Sequence, residues 1–206
     1  MKRITCGGDS LTVLLQANRQ NRQLVTDGDR WWQTSSGEYL TMEQMMTTSD
    51  DSWEARLAAL WVTLDTMEAQ AFISSMDAMA AELPHDAAIG LFERGAARDS
   101  CGFPALAVPL YKAALEVGLT GLRRRRANIQ MASSIRYLGD PQIAADLLTA
   151  EMQAGSDELD GAVRAFLALA LADLGREREA LAISLTALST YLPRYNRSLA
   201  RYAQAL

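Results

Sequence analysis

The chain has 206 residues, of which 49% are hydrophobic and 7% aromatic, and its formal net charge is −5. This length can bury a sizeable core, either as one domain or as a repeat array with an extension. Residues 1–100 carry 8 basic and 15 acidic side chains, whereas residues 101–206 carry 12 and 10. This balance excludes attraction of the whole chain to nucleic acid or anionic lipid, so only a local patch can serve such a partner. Ala and Leu crowd the second half and favour helices, which predicts an all-α fold.

Cysteines and apolar runs bound the cellular setting. Cys6 and Cys101 are too few and too far apart in sequence for a disulfide framework. The amino terminus turns polar at residues 6–10, before a sufficient apolar stretch, so we expect no secretory signal. No run reaches the roughly 18 to 20 apolar residues that a membrane span needs. We therefore expect a cytoplasmic protein without a membrane segment.

Residues 1–51 form an extension of uncertain structure, in which partial disorder is compatible with the mixed signals. Residues 11–16 fit either a strand or a helix start, and Gly28 and Gly37 mark turns. The polar run 47–52 predicts a linker that ends in a helix cap at Asp51 or Ser52. We place a domain boundary near residue 50.

The next segment, residues 52–84, predicts one helical hairpin. Apolar residues recur every three or four positions from Trp53 to Leu64 and again from Phe72 to Leu83, which places each set on one helix face. Pro84 ends the second run. This pair lacks the turn glycine described below, so we interpret it as a capping hairpin or a degenerate repeat.

Three similar segments begin at Gly102, Gly139 and Gly175, in steps of 37 and 36 residues, and each lies between two helical runs. Such a period predicts an array of helix hairpins over residues 86–206, in which each hairpin buries its apolar face only against its neighbours. Asp86 is the predicted cap of the first helix. The array therefore comprises three hairpins and a C-terminal capping helix after Pro193.

Small side chains fill two columns of the aligned hairpins, which lets the two helices of each hairpin approach near the lower end of the usual 8 to 10 Å separation. The columns are Gly95, Ala132 and Ala168, and Ala107, Ala144 and Ala180. Pro104 stands at an early helix position, where a missing amide hydrogen does little harm. Pro109 lies inside the same predicted helix and indicates a kink.

Each hairpin has a small residue, a glycine seven positions later and an alanine five positions after that, followed in the first two hairpins by the large residues Tyr111 and Leu148. In this order of residues the chain resembles the tetratricopeptide repeat. The amino-acid sequences of four segments are similar to those of the bacterial group 5 of that family: 91–99, 108–111, 121–126 and 133–139. The tetratricopeptide domain is expected over about residues 53–206, as an α-solenoid of hairpins. The chain departs from the pattern at Glu151 and Ser184, which predicts looser or shifted packing between the second and third hairpins.

The resemblance implies a protein-interaction module, a scaffold or adaptor without catalysis of its own. In this architecture the first helix of each hairpin lines the concave face, where an apolar groove flanked by arginines suits a peptide that carries a carboxylate. The expected partner-binding residues are Ile89, Phe92, Ala96 and Asp99 of the first hairpin, and Arg126, Ile129, Ser133 and Arg136 of the second. The alternative is that these positions are solvated or filled by the array's own helices.

Two other functions stay open. Arg123 to Arg126 are consecutive, and successive helical residues point about 100° apart, so these arginines cannot share one surface. Pairing with acidic residues of neighbouring helices is the favoured interpretation, and a regulatory adaptor that contacts nucleic acid through them is the alternative, although nucleic acid is not the expected partner. A homo-oligomeric structural protein is the second alternative, because unsealed ends of a stack associate.

The sequence predicts no catalytic residue, no metal site and no cofactor. His85 is the only histidine, so it cannot build a histidine-based zinc site, and we interpret it as a surface loop residue. Cys101 lies at a predicted helix end, where the helix dipole disfavours a thiolate, which indicates an inert thiol. Trp53 and Trp61 share a helix face and are expected to be core or interface anchors.

Overall fold

The computed structural model describes residues 25–26, 29–33 and 39–206, with side chains from residue 52 onward. The chain divides into two compact units, Met1–Arg56 and Leu57–Leu206. The described part of the first unit contains three short antiparallel strands in the order β1-β2-β3. They are β1 (Val25–Thr26), β2 (Asp29–Gln33) and β3 (Tyr39–Thr41). The segment 11–16, which is ambiguous by sequence, lies outside the described residues.

Helix α1 (Met42–Val62) follows β3 directly. The polar run 47–52 lies inside this helix, so the predicted linker and the predicted cap at Asp51 or Ser52 are wrong. Thr, Ser and Asp each cost at most about 0.7 kcal/mol in a helix relative to Ala, which is too little to interrupt a helix that continues on both sides. The domain boundary near residue 50 stays a prediction.

The helices from residue 69 onward match the predicted pattern closely, and they confirm an all-α fold built of helix hairpins. They are α2 (Ala69–Ala80), α3 (Ala88–Ser100), α4 (Pro104–Glu116), α5 (Gly121–Tyr137), α6 (Pro141–Ala154), α7 (Asp160–Asp173), α8 (Glu177–Ser189) and α9 (Asn196–Gln204). Pro104 is the first residue of α4, as predicted, and Pro109 lies inside that helix. Asp86 does not cap α3, because Ala87 is the N-cap residue and makes no side-chain cap hydrogen bond.

The helices are layered side by side. From α2 to α9 each helix contacts the next one in the chain, and α5 also contacts both α3 and α7. Among the described helices, α4 does not contact α6, and α6 does not contact α8. The first helices of successive hairpins thus lie close together while the second helices spread apart, which bends the array and places α3, α5 and α7 on its concave side.

Two apolar clusters hold the layers together. Phe92, Tyr111 and Met131 are buried between the first and second hairpins. Leu148 and Leu167 are buried between the second and third hairpins. Burial of one such side chain stabilises the fold by roughly 1.5 to 3 kcal/mol, so each layer depends on its neighbours for its stability.

The three repeated glycines end the first helix of each hairpin in the left-handed backbone region, with φ of 84° at Gly102, 105° at Gly139 and 72° at Gly175. The residue after each glycine donates its amide hydrogen to a carbonyl five residues earlier, as from Phe103 to Arg98 at 2.8 Å. A residue with a β-carbon is strained at such φ values, which explains the repeated glycine.

The small-residue columns also have the predicted role. A β-carbon added at Gly95 would lie 3.0 Å from the ring of Tyr111 and 3.3 Å from Cβ of Leu110. Ala107 and Ala144 are fully buried. Close packing of the two helices therefore requires small residues in both columns.

Candidate functional site

Three of the eight residues that the sequence assigns to partner binding lie in the interior. Phe92 and Ala96 have 0% of their surface exposed, and Ile129 has 5%. Phe92 and Ala96 belong to the first apolar cluster, and Ile129 belongs to the second. These side chains hold helices together and offer no surface to a partner.

Two more of the eight residues link neighbouring helices. Asp99 accepts hydrogen bonds from the Ser134 hydroxyl at 2.6 Å and from the Tyr111 hydroxyl at 3.3 Å. Burial raises the pKa of Asp99, and these hydrogen bonds lower it only in part. Arg136 pairs with Asp173 at 2.6 Å and so joins α5 to α7.

The accessible part of the concave face is centred on one stripe of α5, which we call the inner stripe. Its members are three or four residues apart and therefore share one helix face. The inner stripe consists of Leu122, Arg126, Gln130, Ser133 and Tyr137. Leu122 is 43% exposed and Tyr137 is 80% exposed, and the other three are partly exposed. Arg126 and Ser133 were predicted site residues, whereas Leu122, Gln130 and Tyr137 were missed, although the same spacing extends to them.

Other faces of α5 are occupied by contacts with its neighbours. Arg123 reaches Glu93 on α3 at 2.9 Å. Asn128 donates to Glu151 on α6 at 2.8 Å. Arg125 reaches Asp160 on α7 at 2.7 Å. The inner stripe is the sector of α5 that remains between the α3 and α7 sides, so it faces the concave surface.

Neighbouring residues extend this surface on both sides of α5. Ile89 on α3 is partly buried against the first apolar cluster. The guanidinium of Arg126 lies over the Phe92 ring, 5.2 Å from its centroid, which holds the cation at the boundary between α3 and α5. On α7, Phe166 is partly buried and Leu169 is 45% exposed. The face therefore combines one cation, polar groups and an apolar wall.

Gln130 contributes an acceptor that its surroundings leave unused. Its Oε1 atom is buried and has no hydrogen-bond donor among the residues that the structure describes. Buried polar atoms are nearly always hydrogen-bonded in proteins, because leaving one unpaired costs about 1 to 3 kcal/mol. Because this oxygen is buried, only the remaining, partly exposed atoms of the Gln130 side chain are accessible on the concave face.

Comparison with protein families agrees with this architecture. The model of the tetratrico peptide repeat, group 5, matches residues 88–206, which is more than half of the chain. The chain belongs to the tetratrico peptide repeat family. The resemblance inferred from the sequence is thereby confirmed, and membership suggests a protein–protein interaction module of a typically non-catalytic kind. No curated protein and no solved structure matches the chain.

The four consecutive arginines of this tetratricopeptide array point in different directions, as helical geometry requires. Arg123 pairs with Glu93, Arg124 with Glu151, and Arg125 with Asp157 and Asp160. Arg126 lies over an aromatic ring instead. Pairing with acidic residues of neighbouring helices is confirmed for the first three arginines, so they do not form one basic patch.

Two buried glutamates organise these pairs. Glu93 is 1% exposed and accepts hydrogen bonds from the Trp61 indole and from Arg123, both at 2.9 Å. Trp61 also meets Phe72 edge-on, with ring centroids 5.3 Å apart, so it is a partly buried anchor packed against the first apolar cluster, as predicted. Glu151 is 5% exposed and is satisfied by Arg124 and Asn128. Its buried position is therefore filled and hydrogen-bonded.

The two candidate reactive side chains lie outside the concave face. His85 is exposed in the loop between α2 and α3, as predicted. Cys101 is at the end of α3, and burial together with the charge of Glu68 raises the pKa of its thiol. Within residues 52–206, no group of three or more His, Cys, Asp or Glu residues is placed to hold a metal ion. No described helix is long and apolar enough to cross a membrane.

Proposed function

We propose that this protein is a scaffold or adaptor that binds a peptide segment of a partner protein on the concave face, along the inner stripe. The observation that carries the proposal is the composition of that stripe on α5, the central helix of the array. It presents the exposed ring of Tyr137 on the same helix face as the partly exposed side chains of Arg126 and Gln130. Tyrosine and arginine are among the residue types that most often dominate binding energy in protein interfaces.

Each part of the stripe suits a part of a peptide. The Arg126 guanidinium is suited to an Asp or Glu carboxylate, because charge-assisted hydrogen bonds are stronger than neutral ones. The partly exposed amide group of Gln130 can donate its N–H to a peptide carbonyl. Leu169 and Phe166 provide contact for an apolar side chain. This proposal replaces Phe92, Ala96 and Ile129 as contact residues and keeps Ile89, Arg126 and Ser133. A bacterial cytoplasmic setting stays a prediction.

Nucleic-acid recognition through Arg123 to Arg126 has less support. Three of these side chains form ion pairs inside the array, and nucleic acid would have to break those pairs to gain phosphate contacts. The protein-binding proposal needs no such rearrangement, since the inner stripe is accessible as it stands.

A peptide-display experiment with two matched variants tests the proposal. Peptides are selected from a random library on the immobilised protein, and their affinity is then measured by fluorescence anisotropy. Ser133→Arg places a large side chain in the inner stripe, while Ser184→Arg places the same side chain at an exposed site on α8. We expect Ser133→Arg to weaken binding about tenfold or more, which corresponds to about 1.4 kcal/mol, and Ser184→Arg to leave it unchanged.

Tyr137→Ala supplies an independent check, because it removes an exposed ring without adding bulk. We expect it to weaken the same peptides, while circular dichroism shows an unchanged helix content. Equal affinity for the wild type and both inner-stripe variants, or failure of the library to enrich any peptide, would show that the concave face is not the binding surface.

A further inference from the structure

The two ends of the unit 57–206 carry opposite charge. Residues 57–93 contain no Lys or Arg. Their acidic residues are Asp65, Glu68, Asp77, Glu82, Asp86 and Glu93. Residues 180–206 contain no Asp or Glu, and their charged side chains are Arg194, Arg197 and Arg201. The net charge of −5 therefore hides an acidic beginning and a basic end of the array.

The terminal arginines differ from most of those inside the array. Eight of the ten arginines between residues 94 and 178 form ion pairs with carboxylates: Arg94, Arg98, Arg123, Arg124, Arg125, Arg136, Arg164 and Arg176. The other two are Arg126, which lies over the Phe92 ring, and Arg178, which donates to the backbone carbonyl of Leu206. Arg194, Arg197 and Arg201 are exposed and have no carboxylate within 4.0 Å in the part of the chain that the structure describes. Arg201 lies over the ring of Tyr202 instead, 5.4 Å from its centroid.

Exposed tyrosines accompany these cations. Tyr195, the residue before α9, is 78% exposed, and Tyr202, within α9, is 62% exposed. We call Arg194, Tyr195, Arg197, Arg201 and Tyr202 the basic end. Arginine and tyrosine are both enriched in protein interfaces, where the ring supplies contact area and the guanidinium supplies directed hydrogen bonds.

A complementary surface lies at the turn between α1 and α2. Val62 is 82% exposed, more than any other large apolar side chain described. Asp65 and Glu68 follow it and are exposed, and Glu68 also caps α2 through the amide of Ala71. Neither carboxylate has a Lys or Arg partner among the described residues. We call Val62, Asp65 and Glu68 the acidic end.

We propose that the basic end of one copy of this chain docks on the acidic end of a second copy. Charge complementarity favours this pairing, and Val62 gives the tyrosine rings an apolar contact. A symmetric contact between two basic ends would bring three arginines of each copy together and is disfavoured by repulsion. A head-to-tail contact joins two different surfaces, so it builds chains or rings and leaves the concave face open.

Charge-reversed variants test this assembly. One variant, R194E/R197E/R201E, makes both ends acidic, and the other, D65R/E68R, makes both ends basic. Sedimentation velocity measures the mass of each, against 22.5 kDa for one chain. We expect the wild type to exceed one chain at about 50 mM salt and to dissociate toward about 500 mM, because salt screens exposed charges. We expect each variant alone to associate about tenfold or more weakly than the wild type. Each variant alone should therefore sediment as a monomer at concentrations where the wild type assembles.

Mixing the two variants is the decisive measurement, because every contact in the mixture again joins opposite charges. We expect assembly to return to the wild-type level in the mixture alone. K112E/R176E reverses exposed charges on α4 and at the start of α8, outside both ends, and serves as the control that keeps wild-type assembly. Circular dichroism confirms that every variant is folded.

Three outcomes would overturn the proposal. One is a wild type that is monomeric at every salt concentration. Another is an R194E/R197E/R201E variant that assembles as the wild type does. The third is a mixture of the two variants that stays monomeric. A fluorescent oligothymidine tests the competing occupant: a monomeric wild type that binds it, with binding lost in R194E/R197E/R201E, would assign the basic end to single-stranded nucleic acid instead.

Discussion

The first and second hairpins have the same backbone arrangement but close it with different side chains. In the first hairpin, Gly95 leaves room for the fully buried ring of Tyr111. At the corresponding positions of the second hairpin stand Ala132 and the buried Leu148. A larger residue on one helix accompanies a smaller one on the other, so the total volume between the helices is conserved. Tight packing therefore constrains the summed volume of the two side chains more than the volume of either one.

A second difference concerns charge. The second hairpin places Arg124, Asn128 and Glu151 in one hydrogen-bonded group. One repeat earlier, the first hairpin has Ala87, Leu91 and Ala114 at these positions. The comparison teaches that these three positions of a hairpin accept either apolar side chains or an ionic group, provided that every buried polar atom has a partner.

The largest effect on stability is expected from a substitution that removes only one partner of the ionic group. Arg124→Ala leaves the buried Glu151 carboxylate with Asn128 as its remaining side-chain donor. We expect a loss of about 1.5 to 3 kcal/mol, the usual range for a hydrogen bond to a charged group. The triple variant R124A/N128L/E151A copies the first hairpin and should regain most of this loss. Urea unfolding followed by circular dichroism measures both changes. A triple variant no more stable than Arg124→Ala would show that the ionic group itself stabilises the layer.

A smaller effect on stability is expected from exchanging Gly95 and Tyr111 for the residues of the second hairpin. Gly95→Ala places a β-carbon 3.0 Å from the Tyr111 ring. Overpacking of this kind costs about 1 to 3 kcal/mol, and the higher helix propensity of Ala returns about 1 kcal/mol. Tyr111→Leu alone leaves a cavity. The double variant G95A/Y111L copies the second hairpin, so its cost in a urea titration should be at least about 0.5 kcal/mol below the sum of the two single costs. Strict additivity would contradict the idea of a conserved volume.

The smallest effect concerns pH and the link between the two hairpins. Burial raises the pKa of Asp99 in the folded protein, so the folded state holds its proton more tightly than the unfolded state. The folded state therefore loses stability as pH rises from the ordinary Asp pKa of about 3.9 toward the raised value. Asp99→Asn removes this dependence. We expect the free energy of unfolding of Asp99→Asn minus that of the wild type to increase over this range, measured by urea unfolding at successive pH values. A difference that does not change with pH would be inconsistent with a raised pKa.

Much of the concave face was beyond sequence reasoning, and the reason lies in helix rotation. Spacing correctly assigned the predicted residues to α3 and α5, but not the direction in which each one faces. Ile129 turns toward the second apolar cluster, whereas Gln130, its neighbour in sequence, lies on the inner stripe. A rotation of one residue, about 100°, separates a core position from a binding position. Packing against α3 and α7 sets that rotation.

Local chemistry, by contrast, was determined by the sequence alone. The turns at Gly102, Gly139 and Gly175 depend on a backbone region that only glycine adopts without strain, and the small columns depend on side-chain volume, so both could be recognised by position. The burial of Phe92, the partners of Arg123 to Arg126 and the absence of a cap at Asp86 were decided by the tertiary structure. These features depend on groups that are distant in sequence or on the exact path of a loop, which neither propensity nor periodicity specifies.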